Sequence, residues 1–105
     1  MYRITTNHSF NCIEDAIKNA VEHGFGIEFI VNERGFFAQQ EVTFLPEMVI
    51  ELEVILFGPK KKSVLYLFKM VNGMCGWTSD LNGVFADEQL SEHLVRIKEN
   101  FADEL

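Results

Sequence analysis

Apolar residues recur along this chain at two periods, and the changes of period mark out its elements. Between Cys12 and His23, the residues Ile13, Ala16, Ile17, Ala20 and Val21 fall at i, i+3, i+4, i+7 and i+8, a single stripe along a helix. Asn11 stands where an N-cap belongs, with Glu14 three residues on, and Gly24 stands at the C-terminal cap. A second helix is predicted from Glu88 to about Phe101, capped by Asp87. Its stripe is Leu90, Leu94, Ile97 and Phe101, with Val95 on the edge.

Between the helices the period is two. Ile27, Phe29 and Val31 alternate, and then Phe36, Ala38, Val42 and Phe44, with Gln39, Glu41 and Thr43 on the opposite face. Asn32 to Gly35 reads as a four-residue turn that sets Val31 opposite Phe36. After Pro46 come three more strand patterns, "MVIELEVILF", "SVLYLFKMV" and "MCGWTSDLNGVF". A loop from Gly58 to Lys62 places Phe57 opposite Ser63, Val54 opposite Tyr66 and Leu52 opposite Phe68. Asn72-Gly73, read as a two-residue type I′ loop, places Met70 opposite Cys75 and Phe68 opposite Trp77.

In that register one face collects Ile50, Leu52, Val54, Leu56, Val64, Tyr66, Phe68, Met70, Cys75 and Trp77 without a charge. The other sets Glu51 against Lys69, and a slip of one residue would draw Glu51 and Glu53 into the core. The expected fold is α+β: a two-layer sandwich whose antiparallel meander of about five strands carries both helices, N-terminal and C-terminal, on its charge-free face.

The second face then poses a problem, because Ile55, Phe57, Leu65, Leu67, Val71 and Met74 lie on it. Apolar patches of that size mark contacts. Self-association of two copies through this face is the simplest expectation. The alternative is a terminal arm of the same chain folded across it.

Composition narrows the options further. A chain of 105 residues is one domain, and its formal charge of -7 argues against binding nucleic acid through phosphates. An acidic decoy that mimics nucleic acid stays open. The one basic run, Lys60-Lys61-Lys62, follows Gly58-Pro59 in a turn, either solvated or touching a phosphate or acidic partner. No run is long and apolar enough for a membrane span. Cys12 and Cys75 have neither metal spacing nor a C-x-x-C pattern, and no secretory signal is seen, so free thiols in the cytoplasm are expected.

Candidate chemistry is sparse. Cys75 lacks a basic neighbour and reads as packing. Cys12, in the first turn of a helix, has the better setting for a thiolate, though it also flanks the helix stripe. Tyr66, Trp77 and Asp80 are the candidate ligand-binding residues. His8, His23 and His93 are scattered, and no metal or other cofactor is implied. Glu51 and Glu53 share a strand face, and Asp80 and Asp87 flank "LNGVFA". No phosphate-binding loop, nucleophile elbow or dinucleotide fingerprint is present in the sequence. A non-enzymatic binding or interaction module is therefore expected, with a possible protein partner. An enzyme using carboxylates near Glu53, Asp80 or Asp87 is the alternative.

The segment from Glu47 to Asp87, with "SVLYLFKMVNG", the following Gly76 and "NGVFAD" leading into a helix, resembles a group of small bacterial proteins described as phosphoribosylpyrophosphate synthetase-like. "IEDAIKNAVEHGF" is similar to the first helix of that group. The chain departs from the pattern at Gly58 to Lys62, where three lysines replace an acidic turn. The resemblance implies a small α+β protein and carries no catalytic residues with it. The synthetase activity is not transferred, because the chain is too short for it and lacks a loop for ribose phosphate.

Overall fold

The computed structural model describes residues 2–7, 9–38, 42–58, 63–80 and 88–103. In chain order the elements are β1 (Tyr2–Asn7), α1 (Ile13–Glu22), β2 (Ile27–Glu28), β3 (Ile30–Val31), β4 (Phe36–Ala38) and β5 (Val42–Phe44). A 3-10 turn (Pro46–Met48) follows, then β6 (Val49–Phe57), β7 (Ser63–Met70), β8 (Cys75–Asp80) and α2 (Glu88–Asp103). The class is α+β, as the pattern predicts. Among the described residues no helix is long and apolar enough to cross a membrane.

β6, β7 and β8 form the expected antiparallel meander, but it is only the middle of a five-stranded sheet ordered β1-β6-β7-β8-β2. β1 pairs parallel to β6 and β2 parallel to β8, so the sheet is mixed. The chain passes from the β1 edge to the β2 edge through α1, which packs across one face of the sheet. β1 itself was not apparent from alternation, although Tyr2, Ile4, Thr5 and Thr6 are all strand-favouring residues.

The alternating run from Ile27 to Val31 serves two sheets. It leaves the main sheet at Phe29, whose N–H donates to Trp77 O at 2.8 Å, and continues as β3 in a three-stranded sheet β3-β4-β5. Val31 does face Phe36, and Asn32 Oδ1 accepts from the N–H groups of Arg34 (2.9 Å) and Gly35 (3.0 Å). The run from Phe36 to Phe44 is a hairpin rather than one strand, with Phe36 opposite Phe44 and Ala38 opposite Val42.

The β6–β7 register is the one the acid pattern defends: Glu51 faces Lys69, Leu52 faces Phe68, Val54 faces Tyr66 and Phe57 faces Ser63. A bulge between Val49 and Glu51 corrects one position, turning Ile50 outward and Val49 into the core. The β7–β8 register differs by one residue from a two-residue loop. Gly73 N–H donates to Met70 O at 2.9 Å and Met70 N–H to Met74 O at 2.8 Å, so the loop is Val71 to Gly73. Gly73, at φ 90°, occupies the bulge position of a three-residue turn. Phe68 therefore faces Gly76, Lys69 faces Cys75 and Leu67 faces Trp77.

That shift accommodates Phe29. A Cβ on residue 76 would collide with Ile27 O and the Phe29 ring, so only glycine allows the ring to lie there. Trp77 goes to the opposite face, half-buried beside Leu67 and α1.

The two helices lie on opposite faces, not on one. Ala16 and Ala20 of α1 pack with Ile55, Phe57, Leu65 and Leu67. Leu90, Leu94 and Ile97 of α2 pack with Leu52, Val54, Val64, Tyr66 and Phe68, and share that face with Phe29, Phe36 and Phe44 of the small-sheet region. The molecule has three layers where two were expected. The doubly apolar hairpin is apolar on both faces because both are covered.

Candidate functional site

The described part of the fold leaves an apolar groove of about 220 Å³ between α2 and the edge strand β1. Alternation along the strands supplies its floor: Val54 and Leu56 from β6, Val64 and Tyr66 from β7. Tyr2 and Ile4 form the β1 wall, being in register with Leu52 and Val54. Leu94 and Lys98, four residues apart on α2, form the other wall. Lys98 Nζ stands 5.0 Å from the centroid of the Tyr2 ring, a cation–π contact that spans the mouth.

Two features of this groove are chemical. Ile4 remains 56% exposed at its lip, an apolar side chain with little cover. Lys98 is the single charged residue lining it among the described residues. Its neighbours at three and four residues along the helix are Leu94, Val95, Phe101 and Ala102, none of them acidic. Among the described residues, no carboxylate lies within ion-pair distance of Lys98. The nearby Arg96, by contrast, is paired with Glu47. Among the described residues the rest of the lining is aliphatic or aromatic and includes no carboxylate, imidazole or thiol.

The residues singled out from the sequence do not form one site. Tyr66 lines the groove, buried and stacked on Phe68 with ring centroids 6.5 Å apart. Trp77 is on the α1 side of the sheet, separated from Tyr66 by the sheet itself. Asp80 is in register with Val64 on β8. Glu53 belongs to the opposite face, where Arg3 holds it in an ion pair at 2.9 Å and Thr5 Oγ1 donates to it at 3.4 Å. By strand spacing the backbones of Glu53 and Asp80 lie roughly 14 Å apart. Glu51 and Glu53 border a shallow cleft of about 40 Å³ with Arg3, Phe25 and Leu67. Asp87, His8 and Lys60 to Lys62 lie outside the described residues.

The expected contact face is accounted for within the chain. Ile55, Phe57, Leu65 and Leu67 are buried under α1, while Val71 is exposed at the β7–β8 turn. Met74 packs against the other cluster, so the six residues share no open surface. The covering element is α1, the first helix of the chain, and not a loose arm.

The Cys12 thiol is not activated. Cys12 is itself the N-cap of α1, one residue beyond Asn11, and exposed. The backbone N–H of Asp15 favours its thiolate, but the carboxylates of Glu14 and Asp15, with desolvation, outweigh that and raise its pKa. Cys75 is half-buried, with Sγ 3.5 Å from Gly73 O.

His93 was treated as one of three scattered histidines, yet it is buried. Its Nε2–H donates to Asn32 O at 2.7 Å, tying α2 to the β3–β4 turn, and its ring meets Phe36 edge-on at 5.5 Å. Its Nδ1 is buried with no hydrogen-bond partner among the described residues. The available signal was its place beside Leu90, Leu94 and Ile97 on the helix stripe. Among the described residues, no three His, Cys, Asp or Glu side chains gather as a metal site.

Comparison of the chain with family models, with curated proteins and with solved structures finds no match. The groove is therefore read on its own geometry.

Proposed function

We propose that this protein is a non-enzymatic binding module whose site is the groove between β1 and α2. The observation that supports this reading is the groove itself: aliphatic or aromatic over most of its floor and walls, open at its mouth, and lined among the described residues by no carboxylate, imidazole or thiol. Free Cys12 and Cys75 suit a reducing compartment such as the cytoplasm. Amide spectra of the labelled protein, titrated with a library of apolar fragments, test the proposal. Shifts gathered at Tyr2, Ile4, Leu56, Val64 and Lys98, and abolished by a groove-filling Leu56→Trp variant, are expected. Shifts gathered at the Glu51–Glu53 cleft, or the absence of any binding, would overturn it.

Self-association remains a second reading, moved from the sheet face to its edge. β1 is a six-residue strand with a pairing partner on one side only among the described residues. An open edge of that length can pair with another copy. Sedimentation at about 100 μM is expected to show a dimer that Thr6→Pro dissociates. A monomer at that concentration would rule this reading out.

A further inference from the structure

We infer that the groove takes an amphiphilic anion: a short unbranched hydrocarbon chain ending in a carboxylate, the chain lying on Val54, Leu56, Val64 and Tyr66 and the head meeting Lys98. The inference rests on the binding reading above and goes further by naming the ligand's chemistry.

Three observations converge on it. The first is the match of chemistry inside the groove. Among the described residues, seven of the eight that line it present aliphatic or aromatic surface, and none is a carboxylate. A polar body such as a sugar or nucleotide would find few replacements there for the water it loses, since only Tyr2, Tyr66 and Lys98 of these residues carry polar side-chain groups.

The second is charge. The chain carries a formal charge of -7, so its net field works against binding an anion. Lys98 is nevertheless placed at the rim, with no carboxylate partner among the described residues, held over the Tyr2 ring. The aromatic face keeps the ammonium at the mouth while its remaining donors stay available to an incoming anion. A cationic or uncharged head would forgo the one electrostatic contact the groove offers.

The third is size. At about 220 Å³ the groove is smaller than the roughly 300–1,000 Å³ of pockets for drug-sized ligands, which favours a short, slender chain over a bulky ring system. Octanoate, the middle member of a short homologous series, is the central probe.

The test is a calorimetric series with hexanoate, octanoate and decanoate, set beside 1-octanol and octyltrimethylammonium. From six to eight carbons, each added methylene is expected to tighten binding about fourfold. Decanoate is expected to gain little over octanoate once the groove is full. Octanoate is expected to exceed both head-group controls. Lys98→Gln is expected to weaken octanoate by up to about fivefold and leave 1-octanol unchanged. Lys98→Glu is expected to weaken octanoate further still.

Failure takes three separable forms. If octanol and octanoate bind alike, and Lys98→Glu changes neither, the groove binds apolar matter and the anion assignment is wrong. If no member of the series binds, while the amide spectra place other fragments in the groove, the ligand class is wrong and the binding reading survives. If nothing binds in either experiment, both fall.

Discussion

The two faces of the five-stranded sheet are packed by opposite means. On one, α1 presents Ala16 and Ala20, each almost fully buried, over Leu65, Leu67, Ile55 and Phe57. Small residues let the helix backbone lie close to the strands, and Phe10 completes the layer edge-on to Phe57 at 5.9 Å. On the other face the core is aromatic. Phe68 touches Phe29, Phe36 and Tyr66, and Phe29 touches Phe44 in turn. There α2 shares the sheet with β3, β4 and β5, and the space between α2 and β1 stays open. The groove is a product of this unequal cover. One helix crosses its face on alanines, whereas the other face is divided between a helix and a small sheet, with room left at the edge.

Substitutions that change volume can break this contrast. The largest effect is expected at Gly76, the hinge between the two arrangements. Gly76→Ala would drive a methyl into Ile27 O and the Phe29 ring, costing about 3 kcal/mol or more in denaturant unfolding. A wild-type transition would show that β2 and Phe29 are not packed as described. Next comes Ala20→Leu, which should cost about 1–3 kcal/mol because the α1 face has no room for added methylenes. The smallest change is expected from Val64→Ile. Val64 is buried on the groove floor, where the extra methyl can relax toward the groove, so stability should fall by less than about 1 kcal/mol while octanoate binding weakens. Equal costs for Ala20→Leu and Val64→Ile would remove the distinction between the faces.

Much of the fold was legible from particular residues. The α1 and α2 stripes appear where their spacing predicts them, and α1 closes through a Phe25 N–H to Ala20 O bond beside Gly24. The β6–β7 register was readable because Glu51 and Glu53 leave a single pairing that keeps both acids out of the core. The β7–β8 register was not. Asn-Gly suits a two-residue loop and also a three-residue loop with Gly in the bulge, and local sequence does not choose between them. Phe29 chooses, from 47 residues away, because its ring needs the glycine and not the tryptophan opposite Phe68.

The candidate site was harder to anticipate for the same reason. Tyr66 was singled out for its size and polarity, and it does line the groove. Its supposed companion Trp77 was carried through the sheet by the one-residue shift. Lys98 and Ile4 carry no local mark, since a lysine on a helix and an isoleucine near the start of a chain are ordinary.

What the sequence by itself determined is the set of local decisions: where apolar residues repeat at the helical or strand period, where turns fall, and which strand pairing keeps charge out of the core. Each depends on interactions between near neighbours in the chain or across a short turn. Only the tertiary structure decided that β1 and β2 close the sheet in parallel, that α1 and α2 lie on opposite faces, and that a groove remains beside Lys98. Those outcomes depend on contacts between distant segments. Their energies come from volume and burial shared among many residues, and no short stretch of sequence carries that information.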